Sequence, residues 1–524
     1  MRGPMSQMLK SSGAMGLATL LSRVLGLVRE MAYARFMGRT WVADAFIFAY
    51  TVPNLFRRLL GEGALTAAFL PSFKAREKEG GEAAMWEAAN AVISGLVVAV
   101  SALVGVAMVV ISLLLLGDGW SEKTRLMLQL MRLMFPYLLL VCLAAVGMGM
   151  LNARGRFFVP ALGAAMLNVV MIGSVFLLAP RFGARLEDQV IGLGVGVLLA
   201  GVAQALFQVP ALARQGWRFR WVSPWRNPVV REVVPRMLPA TVGVAAFQLN
   251  VVVTQSFAFF AGESIVSAFQ FAVRLMEMPQ GVFGISLATY LLPTLAGFAA
   301  EKRWAGFRDT LHQGVQLLLF VNLLAAMLLF VLARPIVRLF FEGGLFRASD
   351  TLAVAQALML LAPGLVAFSL TNVLARAFYA TGDLRTPMWI SVFCLGANTL
   401  LAIPLVFTFA AAGLAAANTV TATLNVLLLG YALRRKFRTL ALGTLRRPGG
   451  LLLLALVPAT AAAAGASFAW ELLLGGTGFW ARLGAVFVPM LLAAGTYFPF
   501  ALWLRLEPAT EVLNLLRRRR SGSA

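Results

Sequence analysis

The stretch LVVAVSALVGVAMVVISLLLL, residues 96–116, contains no charged side chain and decides the class of fold. At a rise of about 1.5 Å per residue, a helix of this length crosses a hydrocarbon core about 30 Å thick. Similar apolar runs recur along all 524 residues, and the chain is 60% hydrophobic and 13% charged, with a mean hydropathy of +0.83. Soluble domains have about 25% charged residues. We therefore predict an all-α integral membrane protein.

The apolar runs predict fourteen transmembrane helices. They lie near residues 12–34, 42–70, 88–116, 127–152, 158–180, 190–213, 237–261, 265–297, 311–333, 351–375, 387–408, 413–433, 450–472 and 480–504. The first run holds two arginines and lacks a small-residue cleavage site, so we interpret it as a retained helix rather than a signal peptide. Cys142 and Cys394 lie inside apolar runs and support neither a disulfide framework nor a thiolate metal site.

The positive charges indicate which ends face the cytoplasm. The formal net charge is +23, which in a soluble protein would suggest nucleic acid as a partner. Here most of the Lys and Arg residues fall in alternate loops and in the tail Arg517–Arg520. Because cytoplasmic loops carry an excess of Lys and Arg, we predict cytoplasmic termini and no nucleic-acid partner.

Two parts of the chain resemble each other. Pro136 and Pro160 are separated by the same 24 residues as Pro363 and Pro387, and LTAAFLP (65–71) is echoed by LATYLLP (287–293). An even number of spans separates the paired elements, so the halves share one membrane orientation, as in transporters that work by alternating access. The predicted parts are an N-terminal lobe (1–214), a cytoplasmic linker (215–236), a C-terminal lobe (237–436), two further helices (450–504) and a basic cytoplasmic tail (505–524).

Charged residues inside predicted spans identify the candidate site. An ionisable group at membrane depth costs at least about 2.5 kcal/mol on insertion scales, so it needs a partner, an aqueous cavity or a ligand. Such groups concentrate in the first, second and eighth spans: Arg23, Arg29, Glu30, Asp44, Arg57, Arg58, Glu62, Arg274 and Glu277. Arginine predominates, and its guanidinium group can bind a phosphate through two parallel hydrogen bonds. We therefore predict a cationic cavity that binds an anionic headgroup, most simply a diphosphate.

Alternatives remain for several of these residues. Arg58 with Glu62, and Arg274 with Glu277, are spaced so that either pair could be an intrahelical salt bridge that only neutralises buried charge. Arg23 and Arg29 have no carboxylate at i+3 or i+4, and Glu30 is expected to point away from Arg29. Arg132 and Arg482, near helix ends, are expected to snorkel to water and are assigned no role.

Several motifs carry a family resemblance. SRVLGLVRE (22–30), ADAF (43–46), PNLFRRLLGEGA (53–64) and RLMEMPQGV (274–282) resemble the first two helices and the eighth helix of the MurJ (MviN) family. That family belongs to the multidrug/oligosaccharidyl-lipid/polysaccharide (MOP) exporter superfamily, and its fourteen-helix layout would cover the whole chain.

The resemblance implies a flippase for lipid II, undecaprenyl-diphosphate-linked disaccharide-pentapeptide, moving it from the cytoplasmic to the periplasmic leaflet of the bacterial inner membrane. It implies that Arg23, Arg29 and Arg274 bind the diphosphate and sugar, that Asp44, Arg57 and Glu62 are also functionally sensitive, and that the last two helices form a groove for the lipid tail. From the charges within the spans, we expect Arg57 to join the headgroup contacts. We expect the remaining charged residues to gate the cavity or balance its charge: Asp44, Arg58, Glu62 and Glu277. Beyond lipid II, the implied partners are membrane lipids, cell-wall polymerases and divisome or elongasome proteins.

The chain also departs from the family pattern. Val273 precedes Arg274 where many relatives have aspartate, which removes one possible partner of that arginine. Some relatives bind sodium with a carboxylate, whereas this chain offers only uncharged side chains there: Asn250, Thr254, Asn398 and Asn418. Sodium coupling is therefore not favoured, and the membrane potential is the alternative driver. We expect no cofactor, metal ion or catalytic residue.

Three rival functions were weighed against the flippase. A drug exporter of the same superfamily should have acidic rather than basic cavity residues, whereas an exporter of another polyprenyl-linked saccharide stays open. A membrane glycosyltransferase would need a catalytic acid or base, often with a carboxylate cluster in a large outer loop. No such loop is predicted, and the single histidine, His312, falls at a predicted helix end. A scaffold that no longer transports is not excluded.

Overall fold

The protein is all-helical in the computed structural model. The structure describes the backbone of residues 4–56, 66–225, 227–437, 442–476 and 478–521, and within these ranges it contains helices, turns and one isolated bridge between Gly343 and Phe346, but no strand. The all-α prediction is confirmed. The chain divides into two compact units, Met1–Ser267 and Ala268–Ala524.

The first unit contains nine α-helices in its described part. They are α1 Pro4–Met37, α2 Trp41–Phe56, α3 Thr66–Leu115, α4 Glu122–Met134, α5 Tyr137–Ala153, α6 Phe158–Gly173, α7 Leu186–Leu206, α8 Val209–Ala213 and α9 Pro228–Ala261. A π-helical segment, Ser174–Leu178, continues α6.

The second unit contains the remaining helices. They are α10 Ile265–Pro279, which begins in the first unit, α11 Ser286–Ala300, α12 Trp304–Val331, α13 Ala333–Phe341, α14 Ala348–Ala380, α15 Arg385–Lys436, α16 Arg446–Leu474, α17 Phe479–Trp503 and α18 Glu507–Ser521. A π-helical segment, Gln280–Ile285, joins α10 to α11.

Eight of the described helices are long and apolar enough to cross a membrane, or nine if α4 and α5, bent by 42°, form one span. Some neighbouring predicted spans belong to one continuous helix in the structure. The helix α15 covers the predicted spans 387–408 and 413–433, with a break at Ala410, whose φ is 51° and ψ −131°. The helix α3 has a similar break at Gly81, with φ 72°. The total of fourteen spans stays a prediction.

The predicted internal repeat recurs in the backbone of two turns. In the turn after α5, Gly155 has φ 73° and the Arg156 N–H donates to Leu151 O at 2.9 Å. In the turn after α14, Gly382 has φ 78° and the Asp383 N–H donates to Phe378 O at 3.0 Å. Both follow the pattern in which a left-handed glycine ends a helix and satisfies its last carbonyls. The two turns therefore support the repeat that the proline spacing predicts.

The two turns differ in their charges. In the first, Arg154 Nη1 lies 2.7 Å from Glu77 Oε1. In the second, Lys436 Nζ lies 2.5 Å from Asp383 Oδ2, and Asp383 also accepts from the backbone N–H of Thr386 at 3.0 Å. Partial burial raises the pKa of the Asp383 carboxyl, but the hydrogen bonds from Lys436 and Thr386 outweigh it and hold the pKa at about 2.

We expect Asp383→Asn to lower the free energy of unfolding by about 1 kcal/mol at neutral pH, a modest value because Lys436 is 44% exposed. The folded pKa lies below the unfolded value of about 3.9, so the stabilisation is present above about pH 4 and is lost as pH falls toward 2. Denaturation of the purified chain in micelles as a function of pH measures this. Asp309→Asn, at an exposed ion pair with Arg308, is the control and should show no such change. A deficit in Asp383→Asn that persists at pH 2 would contradict the assignment.

The last predicted transmembrane helix, α17, is joined to other parts of the second unit by polar contacts that the sequence did not indicate. Tyr497 donates to the carbonyl oxygen of Phe320 at 2.9 Å, and the two rings stack at 5.1 Å. Arg482 Nη1 donates to Glu342 O at 2.9 Å, and its Nη2 lies 3.3 Å from Glu342 Oε1. The expectation that Arg482 only snorkels to water was therefore wrong, because a carboxylate from a distant loop lies within its reach.

Candidate functional site

Arg29, on α1, is a predicted substrate-binding arginine that is largely enclosed. Its side chain is 13% exposed, and its Nη1 donates to Asn168 Oδ1 at 3.1 Å. Nη2 donates to Glu30 Oε1 at 2.5 Å, and the guanidinium lies 5.6 Å from the centre of the Tyr33 ring. These contacts fix the direction of the guanidinium before any substrate binds.

The position of Glu30 corrects the sequence prediction. Adjacent residues on a helix normally point in different directions, which is why Glu30 was expected to face away from Arg29. In the structure the two side chains pair, and Glu30 is only 5% exposed. The two charges attract each other strongly because their buried surroundings offer little solvation.

Asn168, on α6, is a contributor that sequence reasoning missed. Besides accepting from Arg29, its Nδ2 donates to the carbonyl oxygen of Ser22 at 3.1 Å, so one amide joins α6 to two turns of α1. The residue is 7% exposed. The available signal was a lone asparagine within the apolar run VPALGAAMLNVVMIG, residues 159–173.

Arg23 lies about two turns before Arg29 on α1 and is half-buried. It forms neither an ion pair nor a hydrogen bond with other side chains in the part of the chain that the structure describes. Its guanidinium thus keeps its donors available. Of the two predicted substrate-binding arginines on α1, Arg29 is therefore held by neighbouring side chains and Arg23 is not.

Asp44, at the start of α2, is fully buried in a second polar cluster. Its Oδ1 accepts from the backbone N–H of Ser267 at 2.8 Å, and its Oδ2 lies 3.1 Å from Lys123 Nζ. Lys123 Nζ also donates to Phe259 O at 2.8 Å and to Gly262 O at 2.7 Å. Lys123 was not predicted to belong to the site, because it precedes the predicted span and only the tertiary fold brings it to Asp44.

In the second unit, Arg274 and Glu277 form the intrahelical pair that was left open. Their side chains meet at 2.8 Å and are 29% and 44% exposed. Gln270, one turn earlier, accepts from the same guanidinium at 3.1 Å when its amide oxygen faces it. Because both side chains are partly exposed, Arg274 and Glu277 can neutralise each other's charge and still contact a ligand.

Other predicted positions are less informative. Arg57, Arg58 and Glu62 lie outside the described residues, as does the side chain of Asn250. Thr254 is buried, Asn398 Nδ2 donates to Thr421 Oγ1 at 2.9 Å, and Asn418 Nδ2 donates to its own helix at Leu414 O. Because these amide nitrogens already donate hydrogen bonds, the side-chain oxygens are the groups suited to binding a cation. The cation site stays a prediction.

The fold and the charged clusters define a polytopic helical membrane protein of the transporter class. A solved structure described as "Lipid II flippase MurJ, inward closed conformation" has a TM-score of 0.75 at 23% identity, covering 94% of this chain and 98% of that chain. An inward-facing MATE family transporter of the MOP superfamily has a TM-score of 0.63 at 15% identity, over 80% of this chain and 96% of that one. At these identities the two structures establish the fold.

Sequence comparison establishes the family. The model for "Lipid II flippase MurJ" matches residues 33–491. The chain is 34% identical to a probable lipid II flippase MurJ of Bdellovibrio bacteriovorus over 97% of this chain and 96% of the relative. It is 33% identical to one from Vibrio cholerae, over 81% and 82%. A lipid II flippase MurJ of Burkholderia cenocepacia is 33% identical over 80% and 82%. The chain belongs to the MurJ lipid II flippase family.

Proposed function

We propose that this protein translocates lipid II, undecaprenyl-diphosphate-linked disaccharide-pentapeptide, from the cytoplasmic to the periplasmic leaflet by alternating access. Family membership over nearly the whole chain carries this proposal, since the relative from Bdellovibrio bacteriovorus aligns with 97% of it. The protein is a transporter and not an enzyme, as the family description and the fold indicate.

The described arginines provide chemistry that suits the cargo. A diphosphate presents several anionic oxygens, and a guanidinium can donate two parallel hydrogen bonds to them. Arg29 is held in place by Asn168 and Glu30, which limits the rotamer entropy lost when a ligand binds. Arg23 has accessible donors, Arg274 is 29% exposed, and Arg57 is proposed as a fourth contact from its motif alone. Asp44, Arg58, Glu62 and Glu277 are proposed to balance charge or gate the cavity.

The proposed location is the bacterial inner membrane, with both termini in the cytoplasm. Apolar spans and family membership establish a multi-pass membrane protein. The basic ends of the helices support the orientation, because Arg434 and Arg435 are exposed at the end of α15. Cell-wall polymerases are the proposed consumers of the product, with divisome or elongasome proteins as further candidate partners.

Complementation of a MurJ-depleted bacterium tests the function directly. We expect the intact chain to restore growth, and a cell-free assay of lipid II exposure in vesicles to show transfer that depends on it. Failure of a well-expressed intact chain in both assays would contradict lipid II as the cargo. Transfer of a different polyprenyl-diphosphate saccharide in the same vesicles would then identify the alternative exporter.

A further inference from the structure

We propose that a groove in the first unit, lined by α3, α4 and α7, binds one anionic glycerophospholipid from the leaflet opposite the N-terminus. The groove has a volume of about 540 Å³, within the range of about 300–1,000 Å³ of small-molecule sites. Its lining includes Met108, Gln129, Arg132, Pro136, Ile191 and Leu198. This site is separate from the arginines proposed to contact lipid II.

The depth of the groove in the membrane follows from the helix ends. Arg132 Nη1 lies 3.5 Å from Ser112 Oγ, and Ser112 is in the last turn of α3, which ends at Leu115. Next to this end, the exposed Trp120 donates its indole N–H to Leu114 O at 2.7 Å, as expected of an aromatic residue at a membrane surface. The guanidinium therefore lies close to the level of the lipid headgroups.

The rest of the groove extends into the hydrocarbon. Met108 lies two turns from the end of α3, and Leu198 is twelve residues into α7, so at about 1.5 Å per residue the apolar lining runs some 10–18 Å below the surface. Pro136 lines the groove at the 42° bend between α4 and α5. Proline cannot continue the hydrogen-bond ladder, which accounts for the bend. The groove therefore has a polar end near the membrane surface and an apolar channel below it. This shape fits one lipid headgroup and its acyl chain.

The charges indicate which headgroup fits. No acidic side chain lines the groove, and Arg132 forms no ion pair with any residue that the structure describes. Its contact with Ser112 is long for a hydrogen bond, so most of the guanidinium donors are available, with the exposed amide of Gln129 one turn away. A phosphate diester satisfies these donors. A headgroup without an ammonium avoids repulsion by the guanidinium, which favours phosphatidylglycerol over phosphatidylcholine or phosphatidylethanolamine.

Native mass spectrometry of the full chain tests the proposal. The chain is released from micelles that contain equal amounts of dioleoyl-phosphatidylglycerol and dioleoyl-phosphatidylcholine. We expect preferential retention of phosphatidylglycerol and a loss of affinity of about ten-fold in Arg132→Gln, since charge-assisted hydrogen bonds are lost. Arg125→Gln is the matched control, because Arg125 is exposed on the same helix and does not line the groove. It should bind like the unaltered chain.

A second variant tests the acyl channel. Met108→Trp keeps the guanidinium and fills the groove, so we expect it to weaken retention of both lipids. Equal retention of the two lipids by the unaltered chain would overturn the proposal, as would equal phosphatidylglycerol affinity in Arg132→Gln and Arg125→Gln. If undecaprenyl phosphate displaces phosphatidylglycerol from the unaltered chain but not from Met108→Trp, the groove binds the prenyl chain. That result would also overturn the proposal.

Discussion

Replacing Arg29 by alanine is expected to destabilise the first unit by about 3–5 kcal/mol and to abolish lipid II transfer. The change removes an ion-pair partner of Glu30, which is only 5% exposed, and breaking a buried ion pair from one side is among the most destabilising effects of single substitutions. It also leaves Asn168 Oδ1 without the donor it has in the structure. Reversible denaturation in mixed micelles measures the stability, and the vesicle assay measures transfer.

A double variant separates the two roles of Arg29. Arg29→Ala with Glu30→Gln removes the buried carboxylate as well, so most of the lost stability should return. If Arg29 contacts the diphosphate, transfer stays absent in this stable variant, and Arg29→Lys restores little because an ammonium cannot form the bidentate contact. Normal transfer by the stable double variant would show that Arg29 is structural and remove it from the proposed site.

Lys123→Met is expected to lower the free energy of unfolding by about 3–5 kcal/mol, an effect comparable to that of the Arg29 change. Lys123 is the ion-pair partner of the fully buried Asp44, and the same ammonium binds two backbone carbonyls, those of Phe259 and Gly262. Methionine preserves most of the side-chain volume but leaves a carboxylate and two carbonyls without that donor. Denaturation in mixed micelles is again the measurement.

The controls for Lys123 use its own neighbours. Arg125→Met removes an exposed cation from the same helix and should change stability by less than about 0.5 kcal/mol. Lys123→Met with Asp44→Asn should recover part of the loss, since the asparagine oxygen can still accept from the Ser267 N–H. If Lys123→Met is no less stable than Arg125→Met, the Asp44 cluster does not stabilise the fold.

Much of the fold was predictable because its signals are local. The apolar run at 96–116 lies in α3 except for its last residue, and the breaks between predicted spans coincide with kinks at Gly81 and Ala410. The glycines at 155 and 382 end helices in the same way, which supports the repeat that the proline spacing predicts. Each of these features depends on side-chain hydropathy or on a backbone dihedral angle within a few residues. No distant partner is needed to specify them.

The candidate site was predictable only in part. Arg29, Asp44 and Arg274 were identified because charge inside an apolar span is costly wherever the helix lies. Arg274 with Glu277 could also be anticipated, since the pair is three residues apart on one helix. Lys123 and Asn168 were missed, because their partners Asp44 and Arg29 lie far away in the sequence.

The sequence by itself determined that this chain forms membrane-spanning helices, since composition is a property of the chain alone. Its proline spacing also predicts a repeat, and its apolar runs show at which positions a charge needs a partner. Only the tertiary structure decided that Glu30 turns toward Arg29, that Lys123 meets Asp44, and that Arg482 reaches Glu342. The physical reason is that a buried charge takes whichever partner the packing of distant helices brings within a few ångströms, and that partner has no fixed separation along the sequence.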